Sequence, residues 1–414
     1  MSELIKRLLS AVSALTAAFY CGFSPVGNSV MISASASAHG VDVGTVSAHG
    51  ADVGTASAHG TDVSAASAHG IDVSAESAIV IEAQSGKVVF EKDADKRRPM
   101  ASTTKIMTAL VALECGDTGR EVEVPAGAVG VEGSSVYLES GDRLTMDDLI
   151  WALLLESAND AAAAIALSVS GSIEAFAEKM NEKAAELGLA DTHFTNPHGL
   201  DNEDHYTTAR DLSRLASAAM KNPEFREIVS TYRHSITFGD ETRYLLNHNK
   251  LLRSYSGAAG VKTGYTKRSG RCLVSAAERD GVTLIAVTLN APDDWNDHRK
   301  MLDLGFSAFR SEELLRAGEA IFIQPCIGSE KGDISIRNQE GLTVVVPTTA
   351  GEITREIILP RYLWAPVSAG ETVGEIRFFA EIDGERRLIG SVPLLADEDA
   401  ERIVYRKKGF LGLW

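Results

Sequence analysis

From residue 102 to about 222 apolar residues recur at helical spacing, in segments near 102–115, 145–156, 159–170, 172–188 and 207–221, and β-like runs flank this block on both sides. Upstream, "AIVIEAQSGKVVFEKD" alternates around a glycine-containing turn and reads as a hairpin beginning at Ala78. Downstream come "HSITF", "GAAGVKTG", "RCLVSAAERD" and "VTLIAVTLN", then a last helix over about 294–310. Strands that stand before and after one helical block bury their apolar faces together by sharing a sheet, with the helices laid against it. An α+β layered domain is therefore predicted over 77–314.

Past Ala317 the texture changes. Short β-like runs ("AIFIQP", "GDISIR", "LTVVVP", "REIILP", "VGEIRFFAEI", "RRLIGSVPLL") alternate with Gly, Pro and charged residues, so a separate small all-β domain is expected over 315–397. A chain of 414 residues has room for this division, at roughly 100–200 residues per domain.

The two ends read differently. Lys6 and Arg7 precede an apolar run over 8–23, and small residues follow up to Ala38, the build of an export leader over 1–38. A retained anchor is the rival reading, because the run is only slightly short for a membrane span. Residues 37–76 are four ten-residue units, "SAHGVDVGTV", "SAHGADVGTA", "SAHGTDVSAA" and "SAHGIDVSAE". Without aromatics and with few large apolar side chains they do not offset their own ordering entropy, so 39–76 is read as a flexible spacer reaching on the order of 35 Å. His39, His49, His59 and His69 with Asp42, Asp52, Asp62 and Asp72 are chemically able to bind zinc, but their spacing matches no compact motif and no metal is assigned. The tail over 398–414 ends in "YRKKGFLGLW", three cations beside Phe410, Leu411, Leu413 and Trp414, a composition suited to peripheral contact with an anionic membrane; a frayed end is the plain alternative. A net charge of −17 without a basic stripe argues against a nucleic-acid partner. Beyond the leader, Cys115, Cys272 and Cys326 are too widely spaced for a disulfide framework or metal cluster, and mostly free, buried thiols are expected.

The chemistry begins at "ASTTKIMTAL", where a single lysine interrupts a stretch otherwise fit for burial. Serine is a poor nucleophile until a base takes its proton, and lysine is a base only when neutral. Ser102 and Lys105, at i and i+3, share a helical face. Desolvation by the apolar helix and a nearby like charge both favour the neutral amine. Alone, S-x-x-K is a common pattern and Lys105 would be read as a surface lysine. Two further segments change that: "LLLESANDAAA" sets Ser157 and Asn159 in a polar break between apolar helices, and "GVKTGYT" sets Lys262, Thr263 and Gly264 on a strand. S-x-x-K, S-x-N and K-T-G each occur once in the chain, in that order.

This triple is shared by penicillin-binding proteins and serine β-lactamases. With "GSSVYLESGDRLTMDDLIWALLLESANDAA" and "HFTNPHGLDNEDHYTTARDLSRLA", the chain resembles the D-alanyl-D-alanine carboxypeptidases, low-molecular-mass penicillin-binding proteins, from about residue 77 to 395. The resemblance implies a β-lactamase/transpeptidase-like catalytic domain, an antiparallel sheet with helices on it, followed by the β domain. It implies Ser102 as nucleophile, Lys105 as its base, Ser157 as a proton relay, and Asn159 as the residue holding Lys105 and the substrate amide. Lys262 would supply the second cation, Thr263 a hydroxyl for the terminal carboxylate, and Gly264 room for substrate backbone. The N–H groups of Ser102 and Tyr265 would form the oxyanion hole. The substrate implied is the peptidoglycan pentapeptide, with β-lactams as inhibitors, no metal or organic cofactor, and a place outside the cytoplasm, in the wall or on the outer face of the membrane.

An arginine near the last helix holds the substrate carboxylate in some members. Arg299 and Arg271 are both on offer and neither is chosen. Plain readings suffice for His198 (turn), Asp211 (helix capping or packing), Cys272 (core) and Trp295 (packing or pocket wall). The competing functions are a β-lactamase, for which no E-x-x-L-N string is present, and a non-catalytic wall-binding module of the same fold.

Overall fold

A computed structural model describes residues 71–239 and 241–404, together with the backbone of 32–34. Its central sheet is antiparallel and five-stranded, in the order Val88–Lys92, Ser77–Glu82, Val282–Leu289, Gly270–Arg279, Ala258–Thr266. Two strands come from before the helical block and three from after it, the closure that the pattern calls for. Val282–Leu289 lies at the seam, with Ile285 opposite Ile81 on one side and Ala276 on the other.

Both faces of this sheet are covered, which is why Ser77–Glu82 is buried at every position. Ile79, Ile81, Val274, Ala276, Ile285 and Val287 join the core under the helical block. Val80, Ala277, Leu284 and Ala286 face Met301 and Leu302 of the Asp294–Ala308 helix instead. The middle of the block is Asn159–Ser170, whose Ala161–Ala164 run is fully buried; small side chains there let neighbouring helices approach closely. Met146–Leu155 starts with a reciprocal capping box between Thr145 and Asp148, so its first turn satisfies its own donors.

Several boundaries differ from the sequence pattern. The first helical segment opens with a 3-10 turn, Ala101–Thr104, before the α-helix Lys105–Glu114. Pro223–Ser230 is a further helix, capped by Asn222 with proline at its start, and "HSITF" pairs not with the main sheet but in a hairpin of Arg233–Phe238 with Glu241–Leu246. The spacer assigned to 39–76 ends within its last unit: Val73 and Ala75 are buried. The physical reason lies in the fourth repeat, where Ile71 replaces the Val41, Ala51 and Thr61 of the other units and continues an apolar alternation with Val73 and Ala75 into the core. Asp297 secures this segment, accepting from Ser74 N at 2.9 Å, Ser74 Oγ at 2.7 Å and Ala75 N at 3.1 Å. Residues 1–31 and 35–70, which hold most of the leader and of the repeats, lie outside the described residues. Among the described residues no group of three His, Cys, Asp or Glu is placed to hold a metal ion.

The second unit is all-β. Its sheet runs Ile32–Ala34, Ile353–Ile358, Thr372–Ile382, Glu385–Ala396, Asp333–Arg337, Ile321–Ile327, Leu363–Trp364, around Ile334, Ile336, Ile376, Phe378, Val392 and Leu394. The boundary at 397 also moves: Ala400 is fully buried and bridges Val367, and Arg402 bridges Ser329, so the first part of the assigned tail completes this domain. Residues 405–414 lie outside the described part.

Because three donors of the 71–76 segment, one of them buried, converge on one carboxylate, Asp297→Ala should destabilise this sheet-and-helix unit by about 1–3 kcal/mol, the usual cost of stranding a buried donor. Urea unfolding followed by tryptophan fluorescence checks this.

Candidate active site

Ser102 sits in the 3-10 turn that leads into the Lys105–Glu114 helix. In a 3-10 turn residues i and i+3 eclipse each other, so the spacing seen in the sequence brings Lys105 Nζ to 3.0 Å from Ser102 Oγ. Lys105 is completely buried. Its amine also donates to Asn159 Oδ1 and to the backbone carbonyl of His198, both at 2.6 Å. Burial, the charge of Lys262 and, in the opposite direction, Asp160 set its proton affinity; the net effect holds it well below the usual lysine range.

Lys262 is buried as well, at 2 % exposure, on the edge strand Ala258–Thr266. It donates to Thr263 O at 3.0 Å. Burial pushes its amine down to about 7, with Glu156 pulling the other way. Two lysines in one dry region thus resist being charged together.

Ser157 stands between the Met146–Leu155 and Asn159–Ser170 helices with φ of +61°, a left-handed conformation uncommon for a side-chain-bearing residue. Ala101, just before Ser102, has φ of +48°. Such backbone costs on the order of 1–3 kcal/mol at each position and persists where the surroundings over-determine it. Around Ser157 the restraint is Asn159 N donating to Ser134 O at 2.7 Å. Asp160 pins the facing loop, accepting from Ser135 Oγ at 2.6 Å and Leu138 N at 3.0 Å.

The loop "TNPHGL" clamps the other side of the Ser102 turn. Pro197 O accepts from Thr108 Oγ1 at 2.6 Å, and Asn196 Oδ1 accepts from Gly199 N at 2.7 Å. Gly199 has φ of +88°, and a Cβ there would overlap the Ala101 carbonyl. His205 completes the clamp: Nδ1 accepts from Thr195 N at 3.0 Å, which leaves Nε2–H to donate to Thr104 Oγ1 at 2.7 Å, and Thr104 in turn donates to Ala101 O at 2.8 Å. Burial pushes His205 down to about 4 and His198 to about 3, so both imidazoles are neutral at pH 7. The turn reading of His198 fits its side chain; its backbone oxygen is what reaches Lys105.

A cleft of about 350 Å³ opens over these groups, walled by Ser102, Ser134, Ser157, His248, Lys250, Thr263, Gly264, Tyr265, Arg271, Cys272, Asp294 and Trp295. Lys105, Asn159 and Lys262 lie buried around it. Two expectations change in detail. The space that glycine leaves at 264 is filled by the Ser102 turn rather than by substrate, since an added Cβ would lie 3.0 Å from Ser102 N and 3.1 Å from Ala101 Cβ. Asn159 holds Lys105, but its amide nitrogen donates to Glu132 O instead of facing the cleft. Of the two arginines, Arg271 lines the cleft, donating to both Asp294 oxygens at 2.9 Å and lying 5.8 Å from the centre of the Trp295 ring. Arg299 instead bonds Asn296 and Ser254. Cys272 is a buried thiol pushed up to about 11 by its surroundings, and Cys326 is buried too, whereas Cys115 is exposed. Asp211 packs as expected, accepting from Asp191 N and Thr192 Oγ1, both at 2.9 Å.

Fold and site together define a class: serine peptidases in which a lysine stands beside the serine. The D-alanyl-D-alanine carboxypeptidase family matches residues 62–293, and the C-terminal domain of penicillin-binding protein 5 matches 309–402. The D-alanyl-D-alanine carboxypeptidase DacF of Bacillus subtilis (strain 168) is 33% identical over 346 residues, 80% of this chain and 86% of that one. That of Streptomyces sp. (strain K15) is 38% identical over 244 residues, covering 54% and 84%. Among solved structures, penicillin binding protein 5 from Haemophilus influenzae aligns with a TM-score of 0.60 at 27% identity, covering 81% of this chain and 99% of that one. The chain belongs to the D-alanyl-D-alanine carboxypeptidase family.

Gly264→Ala crowds the Ser102 turn by a few tenths of an ångström and should lower kcat/KM several-fold, less than the ~10²-fold expected of a full 1 Å misplacement, while the melting temperature stays close to that of the parent. Steady-state D-alanine release and differential scanning fluorimetry on the same preparations check both parts.

Proposed function

We propose that the chain is an exported D,D-carboxypeptidase that removes the terminal D-alanine of peptidoglycan stem peptides through an acyl-enzyme on Ser102, and that β-lactams acylate the same oxygen. The observation that carries this reading is the bonding around Lys105. A neutral amine has two N–H groups and one lone pair, and Asn159 Oδ1 and His198 O are acceptors only. They take both N–H groups, and the lone pair is left for the third neighbour, the Ser102 hydroxyl. Lys105 is then a general base already aimed at its proton.

The steps follow. Ser102 Oγ attacks the carbonyl carbon of the penultimate D-alanine as its proton passes to Lys105. The oxyanion is met by the N–H groups of Ser102 and Tyr265. As the C–N bond breaks, the proton moves from Lys105 by way of Ser157 to the leaving nitrogen, and D-alanine departs. Water then attacks the ester, Lys105 again taking the proton, and Ser102 is restored. Lys262 stays charged so that Lys105 does not, and it favours the anionic end of the substrate. Thr263 and Arg271 receive the terminal carboxylate, Arg271 being held by Asp294 and by the Trp295 face.

The leader-like start supports export, and the basic, aromatic end of the tail supports peripheral contact with the outer face of the cytoplasmic membrane. Incubation with isolated peptidoglycan fragments should show loss of one alanine by mass spectrometry. A fluorescent penicillin should give a stable adduct; rapid hydrolysis would indicate a β-lactamase and no adduct a binding module. Ser102→Ala should abolish both adduct and release, and retained release would remove Ser102 from the mechanism.

The pH profile has a definite sign. Activity needs Lys105 neutral, so it is lost as pH falls through the depressed Lys105 value. It needs Lys262 charged, so it is lost as pH rises through the Lys262 value of about 7. kcat/KM, which reports the free enzyme, should therefore be bell-shaped with its alkaline limb near neutrality.

A further inference from the structure

Besides His248, the cleft wall holds three residues of formal charge, Lys250, Arg271 and Asp294. Arg271 donates to both oxygens of Asp294, so the pair brings no net charge to the cleft, and the carboxylate opposes any anion that approaches Arg271. Lys250 differs. Among the described residues its ammonium meets no carboxylate and no hydrogen-bond acceptor, only the ring of Trp295, whose centre lies 5.9 Å from Nζ. The Arg271 guanidinium lies 5.8 Å from the centre of the same ring, so both cations stand at the Trp295 end of the cleft. We infer that Lys250 is a specificity-determining residue: it supplies the uncompensated positive charge by which the cleft selects peptides that end in a free carboxylate.

The segment "NHNKLL" fixes where this charge sits. Asn247 and Asn249 are buried, while Lys250 is exposed. Asn247 Nδ2 donates to Val229 O at 3.0 Å and to Thr231 O at 3.1 Å, and its Oδ1 accepts from Asn249 N at 2.9 Å. Asn249 Oδ1 accepts from Leu251 N at 3.0 Å, and the Lys250 carbonyl accepts from Ser254 Oγ at 3.0 Å. The backbone on both sides of Lys250 is thus tied down, and only its side chain is left free to meet a ligand. A lysine whose stem lies along a ring with its head in water is ordinary snorkelling. This one is set apart because its ring is shared with Arg271 and belongs to the wall that also holds Ser102 and Thr263. The inference rests on the function proposed above, in which Thr263 and Arg271 receive the terminal carboxylate. Arg271, offset by Asp294, meets that carboxylate with no charge to spare; Lys250 restores one positive charge against one negative. A contact to the chain end is made alike in bound substrate and transition state, so it acts on KM rather than on kcat. Once D-alanine has left, hydrolysis of the ester no longer senses it.

The test uses the full chain at low salt, with a peptide ending in D-Ala-D-Ala and the same peptide ending in D-alaninamide, for the parent, Lys250→Met, Lys250→Arg and Ser102→Ala. Where the amide turns over too slowly for kcat/KM, its inhibition constant against the acid takes its place. Methionine keeps an apolar stem against Trp295 and loses the charge. In Lys250→Met the preference for acid over amide should fall about five- to tenfold, between the effect of an exposed ion pair and that of a buried charge-assisted hydrogen bond, through a higher KM for the acid. Lys250→Arg keeps the charge and should keep the parental preference. A parental preference in Lys250→Met, or the same fall in both variants, overturns the inference, while the inactivity of Ser102→Ala upholds the acyl-transfer reading. Release of D-alanine by Ser102→Ala overturns both.

Discussion

The rest of this site depends on keeping one amine uncharged inside protein. An isolated ammonium in a low-dielectric interior is so costly that the group gives up its proton instead, and among the described residues no carboxylate is hydrogen-bonded to Lys105. Its partners are an amide oxygen, a backbone carbonyl and a hydroxyl. A carboxylate in place of Asn159 would stabilise the ammonium and remove the base, although it would give a stronger ion pair. The arrangement trades stability for proton affinity, which is the sense in which a functional site conflicts with good packing.

Holding that amine at bonding distance from a serine demands precise backbone, and the backbone is held by clamps rather than by intrinsic preference. Ala101, which precedes Ser102, and Ser157 of the cleft wall both carry left-handed φ without being glycine. Gly199 closes on the Ala101 carbonyl from one side, and Gly264 closes on Ser102 N from the other. The turn is thereby gripped between the "TNPHGL" loop and the K-T-G strand. Glycine at both positions suits this close approach: a methyl group would overlap the Ala101 carbonyl at 199 and crowd the Ser102 turn at 264.

The layered fold was legible because period and order sufficed for it: helical spacing between alternating runs leaves few ways to bury both. The Ser102 and Lys105 pairing was legible because i to i+3 spacing is short enough to survive an error about helix type. The partners of Lys105 were only half legible. Asn159 carries a sequence signal through its place in S-x-N, but the His198 carbonyl carries none, since every residue has one. His205, Ser134 and His248 carry no such signal, because each meets the site through tertiary contacts set by loops. Gly199, following a histidine between two helical segments, was the available hint that the loop approached something closely. The spacer boundary failed for a different reason: a repeat suggests equivalent units, and the single change to Ile71 makes the last unit apolar enough to join the core.

On the proposed mechanism, the placement of the two lysines also explains why the chemistry needs no histidine. His198 and His205, whose loop packs on the Ser102 turn, are both pushed far below neutrality by burial. His205 moreover spends both ring nitrogens on Thr195 and Thr104. Such a ring is a rigid strut with a fixed tautomer, and it offers nothing to a proton in transit. Lysine succeeds where these histidines do not because its ordinary affinity is much higher, so that the same burial which disables an imidazole brings an amine down toward the working range. The dry interior that organises the turn therefore selects the base as well.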